Sequence, residues 1–140
     1  MDLSSAGRPR RERDLVVVVG VRRLHDGVPL CFTTVTLPPA VEMLLEDVAE
    51  LRTRGATSRH TVLGLLDARL EHPVLEAEQS ITVDALPVPA AGCLGLTAGQ
   101  PVLRIDRMYS DARRRPVELA VSWFHPDHFA YRVRFRRSDH

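Results

Sequence analysis

The sequence predicts an α+β domain in which helices pack on an antiparallel β-sheet. Two observations carry this prediction: predicted strands precede and follow a helical region, and two hairpin-like segments repeat one pattern. The chain has 140 residues, of which 44% are hydrophobic, and this suits one domain with its own core. We therefore expect a domain over residues 15–137, preceded by a mobile Arg-rich tail at residues 1–14.

The first predicted hairpin has strands at residues 15–24 and 29–37, with a turn at Asp26-Gly27 between them. Apolar residues at helical spacing then predict an amphipathic helix over residues 40–52. A second helix is expected to follow, with Thr57 or Ser58 as its N-cap, and to run until Pro73.

The second half of the sequence predicts four strands and a short helix. Apolar and polar residues alternate over residues 75–84, which is typical of a half-exposed strand. A helical turn is expected at residues 89–94, and strands at residues 102–109 and 117–124. In a last predicted strand Tyr131, Val133 and Phe135 alternate with arginines, which suits a sheet edge.

Residues 19–39 and 104–126 have similar patterns, which predicts two related hairpins. With two extra residues in the second turn, Asp26 corresponds to Asp111 and Pro29 to Pro116. Chance agreement of a turn Asp and a Pro is the alternative. Two such hairpins can pair about a pseudo-twofold axis and leave a cleft for a ligand.

Composition excludes several classes of function. The formal net charge is +1, so no overall field favours nucleic acid or an anionic membrane, and the longest apolar stretch, residues 15–19, is too short to cross a membrane. All basic residues are Arg, which suggests a GC-rich bacterial gene. Cys31 and Cys93 lie far apart, as in a reduced cytoplasmic protein. The scattered histidines and the absence of catalytic motifs predict no metal, no cofactor and no enzyme activity.

Three strings of residues carry a resemblance to a known family. They are AGCLGLTAGQPVLRIDR at residues 91–107, RPVE at residues 115–118 and SWFH at residues 122–125. Together with Arg23-x-x-Asp-Gly-x-Pro in the first hairpin, they resemble the UTRA domain of GntR-type bacterial transcription regulators of the HutC subfamily. The similarity extends over residues 15–136.

The resemblance implies a chorismate-lyase-like fold, a homodimer and a pocket for a small-molecule effector. In such regulators the occupied pocket controls an attached winged helix-turn-helix domain, which binds DNA. The sequence has no segment of that kind, so we expect DNA contact only through a missing or separate domain.

The resemblance also implies a set of ligand-binding residues. Arg23 and Glu118 match polar positions of the family pocket, and Thr61 matches a hydroxyl of sugar-phosphate-sensing relatives. Three other positions differ from those relatives. The relatives have Glu at the position of Thr33, Tyr at the position of Leu63 and Tyr at the position of Phe124. We therefore expect a less polar ligand than a phosphosugar, a polar or acidic metabolite that bridges Arg23 and Glu118. An ion pair between those two side chains is the alternative.

Strand geometry places Ser122 and Phe124 on the same face as Glu118. The complete set of predicted ligand-binding residues is Arg23, Thr33, Thr61, Leu63, Glu118, Ser122 and Phe124. Two other functions remain open at this point: an enzyme that acts on an aromatic acid with the related lyase fold, and an orphan dimerisation module.

Overall fold

The computed structural model of the protein describes residues 2–5, 16–24, 26–57 and 60–138, and its main feature is one antiparallel β-sheet. The strands are β1 (Asp2–Ser5), β2 (Val16–Arg23), β3 (Pro29–Leu37), β4 (Ala56–Thr57), β5 (Val74–Ala85), β6 (Pro101–Asp111) and β7 (Pro116–Phe124). Their order in the sheet is β4-β1-β2-β3-β7-β6-β5. The described helices are α1 (Pro39–Glu42), α2 (Val62–Asp67) and α3 (Val88–Leu94), with 3₁₀ turns at Met43–Leu45 and Ala49–Leu51. The predicted α+β class is confirmed.

The two predicted hairpins form the centre of the sheet. β2 pairs with β3, β6 pairs with β7, and antiparallel pairing of β3 with β7 joins the hairpins. Thr34 lies opposite Val121 in that pairing. Because the sequence repeat places Pro29 over Pro116, Thr34 and Val121 also correspond to each other in the repeat. A pseudo-twofold axis therefore passes between them.

Helical segments cover both faces of this sheet and form two apolar cores. On one face α3 packs against the sheet, and the buried residues include Phe32, Ala90, Leu94 and Trp123. On the other face α2 and the 3₁₀ turns pack against β2 and β3, and their buried residues include Leu37, Leu45 and Leu66. The sheet is therefore the middle layer of the domain.

The single helix predicted over residues 40–52 is wrong. α1 ends at Glu42, two 3₁₀ turns follow, and Val48 between them has an extended backbone (φ −85°, ψ 96°). The apolar spacing nevertheless identified the buried side chains, since Leu45, Val48 and Leu51 are all buried. The periodicity indicated a buried face, and the short turns supply that face without a continuous helix.

The predicted N-cap of the second helix is also wrong. Thr57 belongs to β4, and Ser58 lies outside the described residues. The N-cap is Thr61, whose side-chain oxygen accepts a hydrogen bond from the Gly64 amide at 3.0 Å. This capping bond satisfies an amide that the first turn of a helix would otherwise leave unpaired.

Both ends of the chain differ from the prediction. Asp2–Ser5 forms β1 between β2 and β4, where a mobile tail was expected, and residues 6–14 lie outside the described residues. Residues 131–138 are exposed and have no regular secondary structure, so the predicted last strand is wrong for the single chain. β7, which precedes them, already has β3 and β6 on its two sides.

Candidate functional site

A cavity of about 450 Å³ opens on the face of the sheet opposite α3. Its floor comes from alternate residues of the two hairpins, such as Thr33 and Ser122. The residues between them, such as Phe32 and Trp123, point to the α3 side. α2 and residues 129–132 form the remaining sides. The predicted cleft between the two hairpins thus corresponds to a real cavity.

Four side chains around the pseudo-twofold axis form the centre of the floor. They are Thr33 and Val35 of β3 and Ala120 and Ser122 of β7. The Oγ1 atom of Thr33 and the Oγ atom of Ser122 lie 2.7 Å apart and share a hydrogen bond. The floor therefore has one polar half, with two hydroxyls, and one apolar half.

Cys31 lies beside the polar half of the floor. Its Sγ atom is 3.7 Å from the Oγ1 atom of Thr33. Burial raises the pKa of the Cys31 thiol, although the Thr33 hydrogen bond and the Arg22 charge act in the opposite direction. The thiol is therefore kept neutral and acts here as a small, weakly polar side chain.

Glu118 is the buried acidic group of the cavity. The residue is 4% exposed, and its Oε1 atom has no hydrogen-bond partner among the described residues. Desolvation by burial raises the pKa of Glu118 from 4.5 to about 7. A buried oxygen without a partner is unfavourable, and a ligand with a hydrogen-bonding group would satisfy it. Near neutral pH this carboxyl can both donate and accept a hydrogen bond.

Arginines supply the positive charge of the cavity. Arg22, Arg107 and Arg132 all line it, from β2, β6 and the segment after β7. The Nε atom of Arg107 donates a hydrogen bond of 2.6 Å to the Oε1 atom of Gln79, which fixes the position of this guanidinium. Guanidinium groups bind carboxylates and phosphates through paired N–H donors. The cavity therefore combines an anion-binding rim with a buried carboxyl that is partly protonated near neutral pH.

Six of the seven predicted site residues line the cavity, and Arg23 does not. Arg22 lies opposite Cys31 in the β2–β3 pairing, and directly opposed residues share a face. The pairing register shifts between Arg22 and Arg23, and the Nη1 atom of Arg23 lies 3.4 Å from the carbonyl oxygen of Gly27. Arg22, and not Arg23, therefore lines the cavity, and the ligand-binding role of Arg23 stays a prediction.

Two ring stacks direct the chain from β7 to the cavity. Phe124 stacks on Phe129 with ring centroids 3.9 Å apart, and His125 stacks on His128 at 3.8 Å. The Nδ1 atom of His128 also lies 2.8 Å from the carbonyl oxygen of Pro29. This tight turn brings Tyr131 and Arg132 to the cavity.

The sequence reasoning missed Arg107, Tyr109 and Arg132, which also line the cavity. Arg107 and Tyr109 alternate with the residues that face α3, so the strand periodicity of β6 contained a signal for them. Arg132 had no such signal, because its position depends on the turn formed by the ring stacks.

The described residues contain no cluster of three or more His, Cys, Asp and Glu side chains that could hold a metal ion. Within the same residues, no helix is long and apolar enough to span a membrane.

The UTRA domain family model matches residues 11–130 of this sequence. The chain belongs to the UTRA domain family. Among curated proteins, this UTRA domain is 28% identical over 118 residues to the HTH-type transcriptional regulator Rv0792c of Mycobacterium tuberculosis. That match covers 84% of this chain and 42% of the relative, so the chain spans less than half the relative's length.

Solved structures show the same fold. The C-terminal domain of the histidine utilization repressor from Pseudomonas syringae pv. tomato has a TM-score of 0.72 and 17% identity, with 97% of this chain and 94% of that chain covered. A GntR-family transcriptional regulator from Enterococcus faecalis has a TM-score of 0.72 and 14% identity, with 95% and 99% covered. The ligand-binding domain of a protein assigned to the GntR family, from Bordetella bronchiseptica, has a TM-score of 0.70 and 20% identity, with 87% of this chain and 74% of that chain covered.

Proposed function

We propose that this UTRA domain is the effector-binding domain of a bacterial, cytoplasmic transcription regulator of the GntR family and HutC subfamily. Glu118 carries the proposal, since its unpaired oxygen lies in a cavity of about 450 Å³ with arginines on its rim. A cavity of this size suits a small metabolite. The relatives named above, which are transcription regulators, support a sensory role and not a catalytic one.

The chemistry of the cavity favours a small ligand with an acidic group at one end and a hydroxyl or amide at the other. The acidic group would bind to Arg22, Arg107 and Arg132, and the other group would hydrogen-bond to Glu118. Leu63 and Phe124 provide apolar walls, and Ser122 and Thr33 provide hydroxyls. Thr61 contributes less to recognition, because its side-chain oxygen already caps α2.

DNA binding would require a winged helix-turn-helix domain, in the same polypeptide or in a partner, and the working unit would be a homodimer. Effector binding in the cavity would then change the affinity of the dimer for its operator.

Calorimetry with a library of small acids and sugars, after a thermal-shift screen, tests the effector site. For any ligand found, Glu118→Gln and Arg107→Ala should each weaken binding about 10- to 100-fold, the range expected for charge-assisted hydrogen bonds. Arg113→Ala, in the exposed turn between β6 and β7, is the matched control and should leave binding unchanged. A ligand whose affinity is the same in all these variants would contradict the proposed site.

Arg22→Ala and Arg23→Ala separate the two neighbouring arginines of β2. We expect the Arg22 variant to weaken binding and the Arg23 variant to bind as the wild type does. The opposite result would restore the original placement of Arg23 in the pocket.

A lyase that acts on an aromatic acid is the second candidate, because a buried carboxyl with a pKa of about 7 can serve as a general acid. Incubation with chorismate and an assay for released pyruvate decides between the two. Pyruvate release that Glu118→Gln abolishes would favour the lyase.

A further inference from the structure

Arg107 lies between two possible partners on the cavity side of the sheet. It is directly opposite Gln79 in the β5–β6 pairing and directly opposite Ala120 in the β6–β7 pairing. Glu118 is two residues from Ala120 on β7, so it is the diagonal neighbour of Arg107 on the same face. Diagonal neighbours lie about 7–8 Å apart, which a long side chain can span. Arg107 can therefore reach either Gln79 or Glu118.

Arg107 contacts only the first of these two partners. Its Nε atom donates a hydrogen bond of 2.6 Å to the Oε1 atom of Gln79. In the described part of the chain no hydrogen bond or ion pair joins Arg107 to the Glu118 carboxyl, whose Oε1 atom is buried without a partner. Burial raises the pKa of Glu118, and no charge of Arg107 lowers it. A basic and an acidic group thus lie next to each other on one face without pairing.

The side chain of Gln79 suits this arrangement because its amide oxygen is a neutral acceptor. The amide binds the Nε–H group of Arg107 and leaves the positive charge of the guanidinium uncompensated. A carboxylate at the same position would form an ion pair with the guanidinium and take up that charge. Arg107 is therefore held in place while its charge and the donors on its two Nη atoms stay available.

Hydration favours the bond to Gln79 over a pair with Glu118. Gln79 and Arg107 are both exposed, so the guanidinium keeps much of its water in the observed position. A pair with Glu118, which is 4% exposed, would remove some of that water, and only attraction to the ionised carboxylate would offset the loss. Without Gln79 that attraction has no competitor, and we expect Arg107 to turn toward Glu118.

We propose that Gln79 is a positioning residue of the cavity: it holds Arg107 on the β5 side and thereby keeps Arg107 and Glu118 unpaired. Both groups then stay available to one ligand, the arginine for an acidic group and the carboxyl for a hydrogen-bonding group. This role rests on the proposed effector site, although Gln79 lies outside the residues that line the cavity. The positions of the side chains can be tested without any effector.

The ionisation of Glu118, followed by NMR titration of its carboxyl carbon, tests the role of Gln79. Loss of a signal in Glu118→Gln identifies the carbon to follow. The wild-type midpoint should lie near the raised pKa of about 7. In Gln79→Ala the released Arg107 should pair with the carboxylate and lower the midpoint by at least about one pH unit. A midpoint that stays at the wild-type value in Gln79→Ala would overturn the proposal.

Two further variants separate positioning of Arg107 from a general effect on the fold. Gln79→Glu still offers an acceptor to Arg107, so the arginine should stay in place and the midpoint of Glu118 should not fall. Gln79→Ala combined with Arg107→Ala removes the group that would pair with Glu118, so the midpoint should return to the wild-type value. A midpoint that remains low in the double variant would contradict the proposal, because the shift would then not come from Arg107.

The titration involves no other charged group of the cavity, since none of these variants changes one. Those groups are Arg22, Cys31, Tyr109, Tyr131 and Arg132. Ser80→Ala, at the next exposed position on the opposite face of β5, is the matched control and should leave the midpoint unchanged.

The titration and the effector screen can fail separately. Ligand binding as proposed, together with an unchanged midpoint in Gln79→Ala, would remove the role of Gln79 and leave the effector site intact. A screen that finds no ligand would count against the effector site, while the titration would still decide what Gln79 does. A wild-type midpoint at the ordinary value of 4.5 would also overturn the proposal, because Glu118 would then already be paired or hydrated.

Discussion

The Oγ1 atom of Thr33 on β3 and the Oγ atom of Ser122 on β7 share a hydrogen bond of 2.7 Å next to the pseudo-twofold axis. The bond ties the two hairpins together with side chains, in addition to the backbone ladder. It also fixes two hydroxyls on the floor of the cavity.

A double-mutant cycle should measure this bond. Ser122→Ala leaves the Thr33 hydroxyl with only a weak sulfur neighbour, so we expect a loss of about 1 kcal/mol in the free energy of unfolding. In the Thr33→Val background the same change should cost less than about 0.5 kcal/mol. Urea denaturation gives both values. Thr34→Val on the opposite face is the control, and equal costs in both backgrounds would show that the hydroxyls do not interact.

The buried carboxyl of Glu118 should make stability depend on pH. Burial raises its pKa from 4.5 to about 7, so the folded chain retains a proton that the unfolded chain releases, and stability falls as the pH rises through this window. At pH 8 the wild type should have lost up to about 3 kcal/mol relative to pH 5 through this group. Glu118→Gln should remove this pH dependence.

Thermal unfolding measured from pH 5 to pH 8 checks that prediction. The slope of stability against pH should differ between Glu118→Gln and the wild type. Glu46→Gln, at an exposed position, should follow the wild-type curve. Parallel curves for Glu118→Gln and the wild type would mean that Glu118 ionises normally.

Two glycines near the end of α3 should respond in opposite directions to the same substitution. Gly95 follows the helix with a φ of +68°, whereas Gly92 lies inside the helix, and an added Cβ would meet no atom within 4 Å at either position. Gly95→Ala should therefore cost about 1 kcal/mol through backbone strain alone. Gly92→Ala should stabilise by up to about 1 kcal/mol. Chemical denaturation of the pair tests this, and a stabilising Gly95→Ala would contradict the left-handed helix end.

Arg104 should contribute to stability without contributing to the cavity. Its guanidinium bonds to Asp106 at 2.7 Å and to Asp84 at 3.1 Å, lies 5.4 Å from the centroid of the Trp123 ring, and is on the α3 side of the sheet. Arg104→Ala should lower the free energy of unfolding by about 1–2 kcal/mol, and Arg113→Ala by less than about 0.5 kcal/mol. Effector affinity should stay unchanged in both variants, and a large loss of affinity in Arg104→Ala would place this network in the binding site.

Strand alternation accounts for most of what the sequence predicted. The hairpin strands and the side-by-side placement of the two hairpins followed from local patterns and turn residues, and so did the shared face of Glu118, Ser122 and Phe124. Thr33 entered the predicted site only through the resemblance.

Arg23 entered the predicted site through the resemblance and not through strand alternation. The pairing of β2 with β3 is regular from Val16 to Arg22, so alternation already places Arg22 on the same face as its partner Cys31, and the register shifts only after Arg22.

The helical region was harder to predict, because apolar spacing reports which residues are buried and not whether the backbone between them is continuous. The extended Val48 breaks the segment, yet the side chains around it stay in the core. The last strand was predicted from a correct alternation, but a strand also needs a neighbour, and the sequence of one chain does not state where that neighbour lies.

The stacking of Phe124 on Phe129 places the stretch that follows in two surroundings. Residues 129–132 line the cavity, and residues 131–138 continue from there as an exposed segment. A bound effector that contacts Arg132 would hold the start of that stretch in place. In the proposed homodimer, any factor by which the effector tightens the dimer must equal the factor by which dimerisation tightens effector binding.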